Sequence, residues 1–360
     1  MTDRIREFLH DEAAGGLAIL AATIAALLWA NLGPDYDGFW HTELGPLDLH
    51  HWVNDGLMAL FFLIVGLEIK REVVDGRLQD ARTAALPALA AVGGVVAPIV
   101  IFVALVAGGE GAQGWAIACA TDIAFAVGLI ALLGDRVSDG TRVFLLAVAI
   151  VDDIIAIAII AVFYAEGVSL TWLLAAAALV VVIKLVPRLW LPLGVLLWIA
   201  VHESGVHATI AGVAVGLLLP LAIGERVEHR LHPWSAFVVV PLFALANAGI
   251  EFGGGALGDA LSSTLVWAIV AGLVAGKLLG VSGATLAALR GGGTLPAGMP
   301  RRELYGVAAA AGIGFTVSLF IADLAFDDPA LVERAKIGIF AGSLLSGLLG
   351  WAVLSRARRV

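Results

Sequence analysis

Apolar runs of membrane-spanning length follow one another along almost the whole chain, and this feature constrains the fold before any other. A helix needs about 20 mostly apolar residues to cross roughly 30 Å of hydrocarbon. Such runs lie near 14–31, 52–69, 84–107, 114–134, 143–164, 171–184, 190–202, 206–221, 235–250, 263–289, 305–325 and 335–355. They number twelve, and the short connections between them leave no room for a soluble domain. Of the 360 residues 61% are hydrophobic and 14% charged, whereas about 25% of a soluble domain is charged. So few charges cannot cover a water-facing surface, and the chain is expected to be an all-α integral membrane protein embedded in a lipid bilayer. A net charge of −9 without any basic block argues against a nucleic-acid partner. The single Cys119 excludes a disulfide scaffold. Asp3, Glu7, Asp11 and Glu12 spoil the positive start that a cleaved signal peptide needs.

Orientation follows from the basic residues. Connections 32–51, 108–113, 165–170, 203–205 and 251–262 hold no Lys or Arg, and the last odd-numbered one holds only Arg334 and Lys336. The even-numbered connections carry Lys70, Arg71, Arg77 and Arg82, then Arg136 and Arg142, Lys184 and Arg188, Arg226 and Arg230, and Arg290, Arg301 and Arg302. With Arg4, Arg6, Arg356, Arg358 and Arg359 at the termini, both ends of the chain are expected in the cytoplasm. The runs 190–202 and 206–221 are short, but merging them would place every later basic connection outside, so they count as two spans. Gly272, Gly276 and Gly280, and likewise Gly338, Gly342, Ser346 and Gly350, recur every four residues and read as helix-packing stripes.

The informative residues are ionisable groups far from any helix end: Asp122, Asp152, Asp153 and Lys277. Each costs about 2.5–3.5 kcal/mol at mid-membrane, so four unpaired ones would cost on the order of 10–14. That rivals the net stability of a typical fold, roughly 5–15 kcal/mol. A purely structural ion pair can absorb Lys277 and one aspartate, but three acids against one base leave acid over. Asp152 and Asp153 stand about 100° apart around a helix and cannot both face one neighbour. If Lys277 pairs with one, the other must hold a proton or a cation. Carboxylates with backbone carbonyls are suitable ligands for a dehydrated Na⁺, and one site taking either H⁺ or Na⁺ is enough for exchange.

Glu68, Arg71 and Glu72 stand at i, i+3 and i+4, where a helical ion pair is the simpler account. Asp55 and Asp323 lie near helix ends and can reach the interface. His202-Glu203-Ser204-Gly205-Val206-His207 spaces its histidines five apart, whereas a zinc-protease helix needs four. The adjacent aspartates also leave open an aspartate-based intramembrane enzyme, and the buried charges a passive cation channel.

A longer set of motifs runs in order over nearly the whole chain: Asn54-Asp55-Gly56-Leu57-Met58, Phe61-Phe62-Leu63-Ile64-Val65-Gly66-Leu67-Glu68-Ile69-Lys70-Arg71-Glu72, Ala120-Thr121-Asp122-Ile123-Ala124-Phe125-Ala126, Ala149-Ile150-Val151-Asp152-Asp153, Gly205-Val206-His207-Ala208-Thr209, Leu231-His232-Pro233-Trp234, Pro241-Leu242-Phe243-Ala244-Leu245-Ala246-Asn247-Ala248-Gly249 and Gly312-Ile313-Gly314-Phe315-Thr316. Together they resemble the bacterial Na⁺/H⁺ antiporter family NhaA. The resemblance implies one transmembrane antiporter domain over 1–360, with twelve transmembrane helices. Spans 3–5 and 10–12, about 84–164 and 263–355, would form inverted-topology repeats. Spans 4 and 11 would be interrupted helices that cross mid-membrane. Neither contains proline, so the breaks are carried by the resemblance, with Gly312 and Gly314 permitting one and Thr121 and Asp122 marking the other.

Residue by residue, the resemblance makes Asp152 and Asp153 the Na⁺ and proton site and Lys277 the partner of Asp152. Asp122 would offset the positive half-helix ends, with Thr121 beside it. Glu68, Arg71, Glu72, Glu228, His229 and His232 match positions linked with cytoplasmic pH sensing, and His207 does so more loosely. Residues 32–51 resemble an extracytoplasmic hairpin that joins a homodimer, with Gly45-Pro46 as its turn. Asp323 is a charge not expected at its place in the family. The implied function is export of Na⁺ and Li⁺ in exchange for inward H⁺ across the bacterial inner membrane, serving sodium and pH homeostasis, by a transporter and not an enzyme, with no cofactor.

Overall fold

Helix dominates because almost every apolar run must satisfy its own backbone hydrogen bonds. The computed structural model describes residues 3–76, 78–165, 167–253 and 256–356, and only the backbone of 3–12, 81, 256 and 257. Arg77, Arg358 and Arg359 lie outside the described residues, as do the side chains of Asp3, Arg4, Arg6, Glu7, Asp11 and Glu12. By length and hydropathy six described helices can cross a membrane, or eight spans if two bent pairs, Leu170–Leu185 with Pro187–His202 and Arg301–Ala310 with Phe315–Ala325, each count as one. The 52–69 run, with Glu68 near its end, continues into Lys70, Arg71 and Glu72 within the Met58–Val74 helix. The 206–221 run yields a helix only over Ile210–Leu218. Val92, Val96, Val100 and Val103 lie exposed along one side of the Ala81–Val106 helix while Ala90, Ala91 and Phe102 are buried. An exposed apolar stripe of that length suits hydrocarbon and would associate in water.

Contacts divide the chain into two compact units. The first holds Met1–Leu17, Asp80–Ala156 and Ile250–Val360. Here Ala81–Val106 packs along Lys277–Arg290 backbone to backbone. A Cβ on Gly93 would come within 2.4 Å of the Gly280 carbonyl, and one on Gly280 within 2.1 Å of the Gly93 carbonyl. Gly276 abuts Pro98 and Gly272 abuts Ala118, so the four-residue stripe is a contact surface as its spacing suggests. Glu303 accepts Ser138 N–H (3.1 Å) and Oγ–H (2.8 Å) and the Thr141 hydroxyl. This buried carboxylate thereby caps the start of the Asp139–Phe163 helix from another element.

The second unit holds Ala18–Gln79 and Ile157–Gly249. Met58–Val74 meets Ile210–Leu218 through Gly66, Gly212 and Gly216, whose absent side chains admit the carbonyls of Val213, Ala59 and Leu63. Leu63, Leu67, Leu197, Ala200, Ala211 and Val215 fill the core around that contact. Glu43–Leu44 pairs antiparallel with Leu47–Asp48 around Gly45-Pro46, within the expected hairpin region. Gly45 has φ +74°, as the first position of such a two-residue turn demands. The Trp52 indole N–H donates to the Leu44 carbonyl (2.8 Å), and the Tyr36 hydroxyl donates to the Leu245 carbonyl (2.7 Å), tying this region to its own unit.

Candidate functional site

Two helices of the first unit are interrupted where the resemblance placed the breaks. The 3₁₀ segment Ala112–Cys119 stops before Ile123–Leu133, and Ala120 and Asp122 between them are extended. Arg301–Ala310 stops before Phe315–Ala325, and the two axes differ by 42°. With no proline at either place, side chains and glycine hold the breaks. Asp122 N–H donates to the Ile313 carbonyl (2.6 Å), and the Thr121 hydroxyl donates to the Ala311 carbonyl (2.7 Å). The two unwound stretches thus satisfy each other, the condition for irregular backbone at membrane depth.

Asp122 stands at the N-terminal ends of both outgoing half-helices. Its Oδ1 accepts Phe125 N–H (3.2 Å), while Oδ2 accepts Thr316 N–H (3.0 Å) and the Thr316 hydroxyl (2.6 Å). Helix N-termini carry partial positive charge, so one carboxylate neutralises two of them. Only 3% of Asp122 is exposed.

Lys277 opens the Lys277–Arg290 helix, directly after a π turn over Gly272–Gly276. Its Nζ lies 2.7 Å from Asp152 Oδ2 and 3.2 Å from Thr121 Oγ1. Lys277, Asp152 and Thr121 are each 1% exposed and Asp153 is 7% exposed, all buried. The second oxygen of Asp152, Oδ1, is buried with no donor in hydrogen-bonding geometry among the described residues, and Thr121, which stands beside this carboxylate, gives its hydroxyl to the Ala311 carbonyl. A buried carboxylate that gives one oxygen to an ammonium and leaves the other undonated is an open ligand for a proton or a bare cation. Thr121, Asp122, Asp152, Asp153 and Lys277 all belong to the first unit, and Thr121 links the lysine to the crossing.

The other candidates fall into separate groups in the second unit. Arg71 bonds to Glu228, which is buried. Burial holds the Glu228 carboxyl above its ordinary range against the downward pull of Arg71. Glu68, Glu72 and His232 are half-buried and His229 is exposed. His207 does not join them. Its Nε2 lies 3.3 Å from Asp55 Oδ1 and its Nδ1 2.9 Å from the Thr209 hydroxyl. Asp55 and Arg71 are 16 residues apart on one helical run, about 24 Å at 1.5 Å per residue. His202 approaches the other Asp55 oxygen at 4.0 Å. Asp55 is buried, and the Trp198 indole N–H binds its carbonyl at 2.9 Å. Asp323 is half-buried near the end of Phe315–Ala325.

Thr316, Glu303 and Asp55 are polar groups of these networks that sequence reasoning passed over or ranked low. A hydroxyl just past the Gly312-Ile313-Gly314 break was the available signal for Thr316, since such residues bond helix starts. Glu303 gave no signal, because its place at the edge of a run looks solvated.

The family described as Na⁺/H⁺ antiporter 1 matches residues 6–354. A Na⁺/H⁺ antiporter NhaA of Rhizorhabdus wittichii is 50% identical over 366 residues, covering 97% of this chain and 97% of its own. One of Mesorhizobium japonicum is 46% identical over 376 residues, covering 98% and 94% respectively. Na⁺/H⁺ antiporter NhaA 3 of Frankia alni is 45% identical over 406 residues, covering 97% and 88%.

Proposed function

The chain belongs to the NhaA family of Na⁺/H⁺ antiporters, and from that membership we propose that it exchanges sodium ions for protons through Asp152 and Asp153. The observation that carries the assignment is the undonated Oδ1 of Asp152, buried beside a lysine that holds the other oxygen. A site lined this way can carry a proton or a Na⁺ but has no room in its charge balance for both.

In the proposed cycle Na⁺ enters from the cytoplasm as Asp153, with Asp152 or Lys277, releases protons. A conformational change exposes the ion to the outside, Na⁺ leaves, and external protons reload the carboxylates. Li⁺, with the same charge and smaller radius, follows the same route. Asp122 keeps the half-helix ends neutral while the site changes access. The two interruptions support twelve spans arranged as inverted repeats over about 84–164 and 263–355, in the bacterial inner membrane with both termini cytoplasmic. Arg71 and Glu228 form a titratable contact suited to sensing cytoplasmic pH, together with Glu68, Glu72, His229 and His232. His207, matched more loosely to the same role, pairs with Asp55 and stands apart from this group. The exposed Glu43–Leu44 strand leaves a free edge through which two hairpins can join a homodimer.

The test is exchange in everted vesicles. Asp153→Asn abolishes Na⁺-induced dissipation of the proton gradient, and retention of full dissipation overturns the assignment. Passive Na⁺ current without proton coupling would place the protein among channels.

A further inference from the structure

The π turn at Gly272–Gly276 interrupts an otherwise α-helical span immediately before the lysine. Lys277 N–H therefore bonds to the carbonyls of Gly272 and Val274. It does not use Leu273, the acceptor four residues back that an α-helix would supply. A buried carbonyl deprived of its usual donor must find another. Leu273 O receives the Ser346 hydroxyl, at 3.3 Å.

Ser346 is fully buried, in the Pro329–Ser355 helix. It is the one hydroxyl in a four-residue stripe otherwise made of Gly338, Gly342 and Gly350, where packing alone would be served by glycine. A third backbone converges on the same point. A Cβ on Gly312 would lie 2.2 Å from Leu273 O and 2.5 Å from Ser346 Oγ, and Gly312 sits in the break between Arg301–Ala310 and Phe315–Ala325. The released carbonyl, the serine and the break of the second interrupted helix thus form one joint, all within the first unit.

We propose that Ser346 is a positioning residue for exchange: by holding the Leu273 carbonyl it keeps the π turn open and aims Lys277 at Asp152. Because Gly312 leans on the same carbonyl, movement at the broken helix is felt at the lysine. The proposal rests on the reading that the Lys277–Asp152 pair takes part in exchange. Without the hydroxyl the turn drifts toward α register, which rotates Lys277 about the helix axis and loosens the ammonium from the carboxylate. Lys277 and Na⁺ compete for Asp152, so a looser pair yields to Na⁺ sooner.

The experiment measures Na⁺-dependent exchange in everted vesicles across a pH series, with the full-length chain. In Ser346→Ala, Na⁺ half-saturation at fixed pH falls about threefold, the worth of one modest hydrogen bond, and the pH midpoint of activation moves about half a unit to the acid side. Ser346→Cys, a weak donor of similar size, shows the same direction and serves if the alanine variant does not fold. Thr285→Ala removes a buried hydroxyl that bonds within its own helix, to the Val281 carbonyl at 2.6 Å, and leaves both quantities unchanged. A wild-type midpoint and half-saturation in Ser346→Ala and Ser346→Cys overturn the proposal. So does an equal shift in Thr285→Ala, which would mark a general loosening. Asp153→Asn run alongside separates the two levels: if it still exchanges, the site reading itself has failed, whatever Ser346 does.

Discussion

At the scale of single residues, the Lys277–Asp152 pair is held by mutual need. Breaking a buried pair from one side leaves an uncompensated charge and costs about 3–5 kcal/mol. Lys277→Ala is therefore expected to lower the thermal midpoint in detergent by several degrees, and adding Asp152→Asn to restore part of the loss. Unchanged melting of the single variant would show that the carboxylate already stands without the ammonium. These residues were legible in the sequence because a charge deep in an apolar run is conspicuous whatever surrounds it. Which acid the lysine would choose was not legible from spacing, since Asp152 and Asp153 are adjacent and differ only in helical direction. The roles of Thr316 and Ser346 were hidden for a different reason. A hydroxyl in an apolar run costs little, and its partner is a backbone carbonyl that no residue type announces.

At the scale of elements, the long apolar helices followed from their runs, and the glycine stripe at 272, 276 and 280 marked a real contact face. The breaks could not be read from local signals, because no proline makes them. They exist through bonds between stretches 190 or more residues apart, such as that from Thr121 to Ala311. The Arg71–Glu228 contact is likewise non-local, joining the Met58–Val74 and Leu221–Trp234 helices. It makes its own prediction. Burial leaves the Glu228 proton more tightly held in the folded chain than in the unfolded one, where the ordinary value is 4.5. Folding then takes up a proton between 4.5 and the raised value, so stability contributed by the protonated form is lost as pH rises through that window. Detergent melting of the parent chain should decline across it more steeply than melting of Glu228→Gln, which has no proton to lose. Parallel pH profiles for the two would mean that Glu228 titrates alike in both states.

At the scale of the whole molecule, the decisive quantity is how many times the chain crosses the membrane, because each crossing reverses the side on which later segments emerge. Length and hydropathy leave that number open at Leu170–Leu185 and Pro187–His202, which can be counted as one broken span or as two. Their axes differ by 116°, nearer to a reversal than to a continuation. A chain that turns back crosses twice, which keeps Arg226, Arg230, Arg290, Arg301 and Arg302 on the side of Arg71, as the bias of basic residues toward the cytoplasm requires. A single crossing would put those arginines outside. Cysteine labelling distinguishes the two counts, since the only native thiol, Cys119, is buried and can be replaced by serine. On that background Glu43→Cys, in the hairpin, should react with an impermeant maleimide added to the outside of spheroplasts, and Arg302→Cys only in everted vesicles. Both positions are exposed, so access depends on side alone. Labelling of both from the same face would mean an odd number of crossings between them has been miscounted, and with it the inward orientation of the proton-loading cycle.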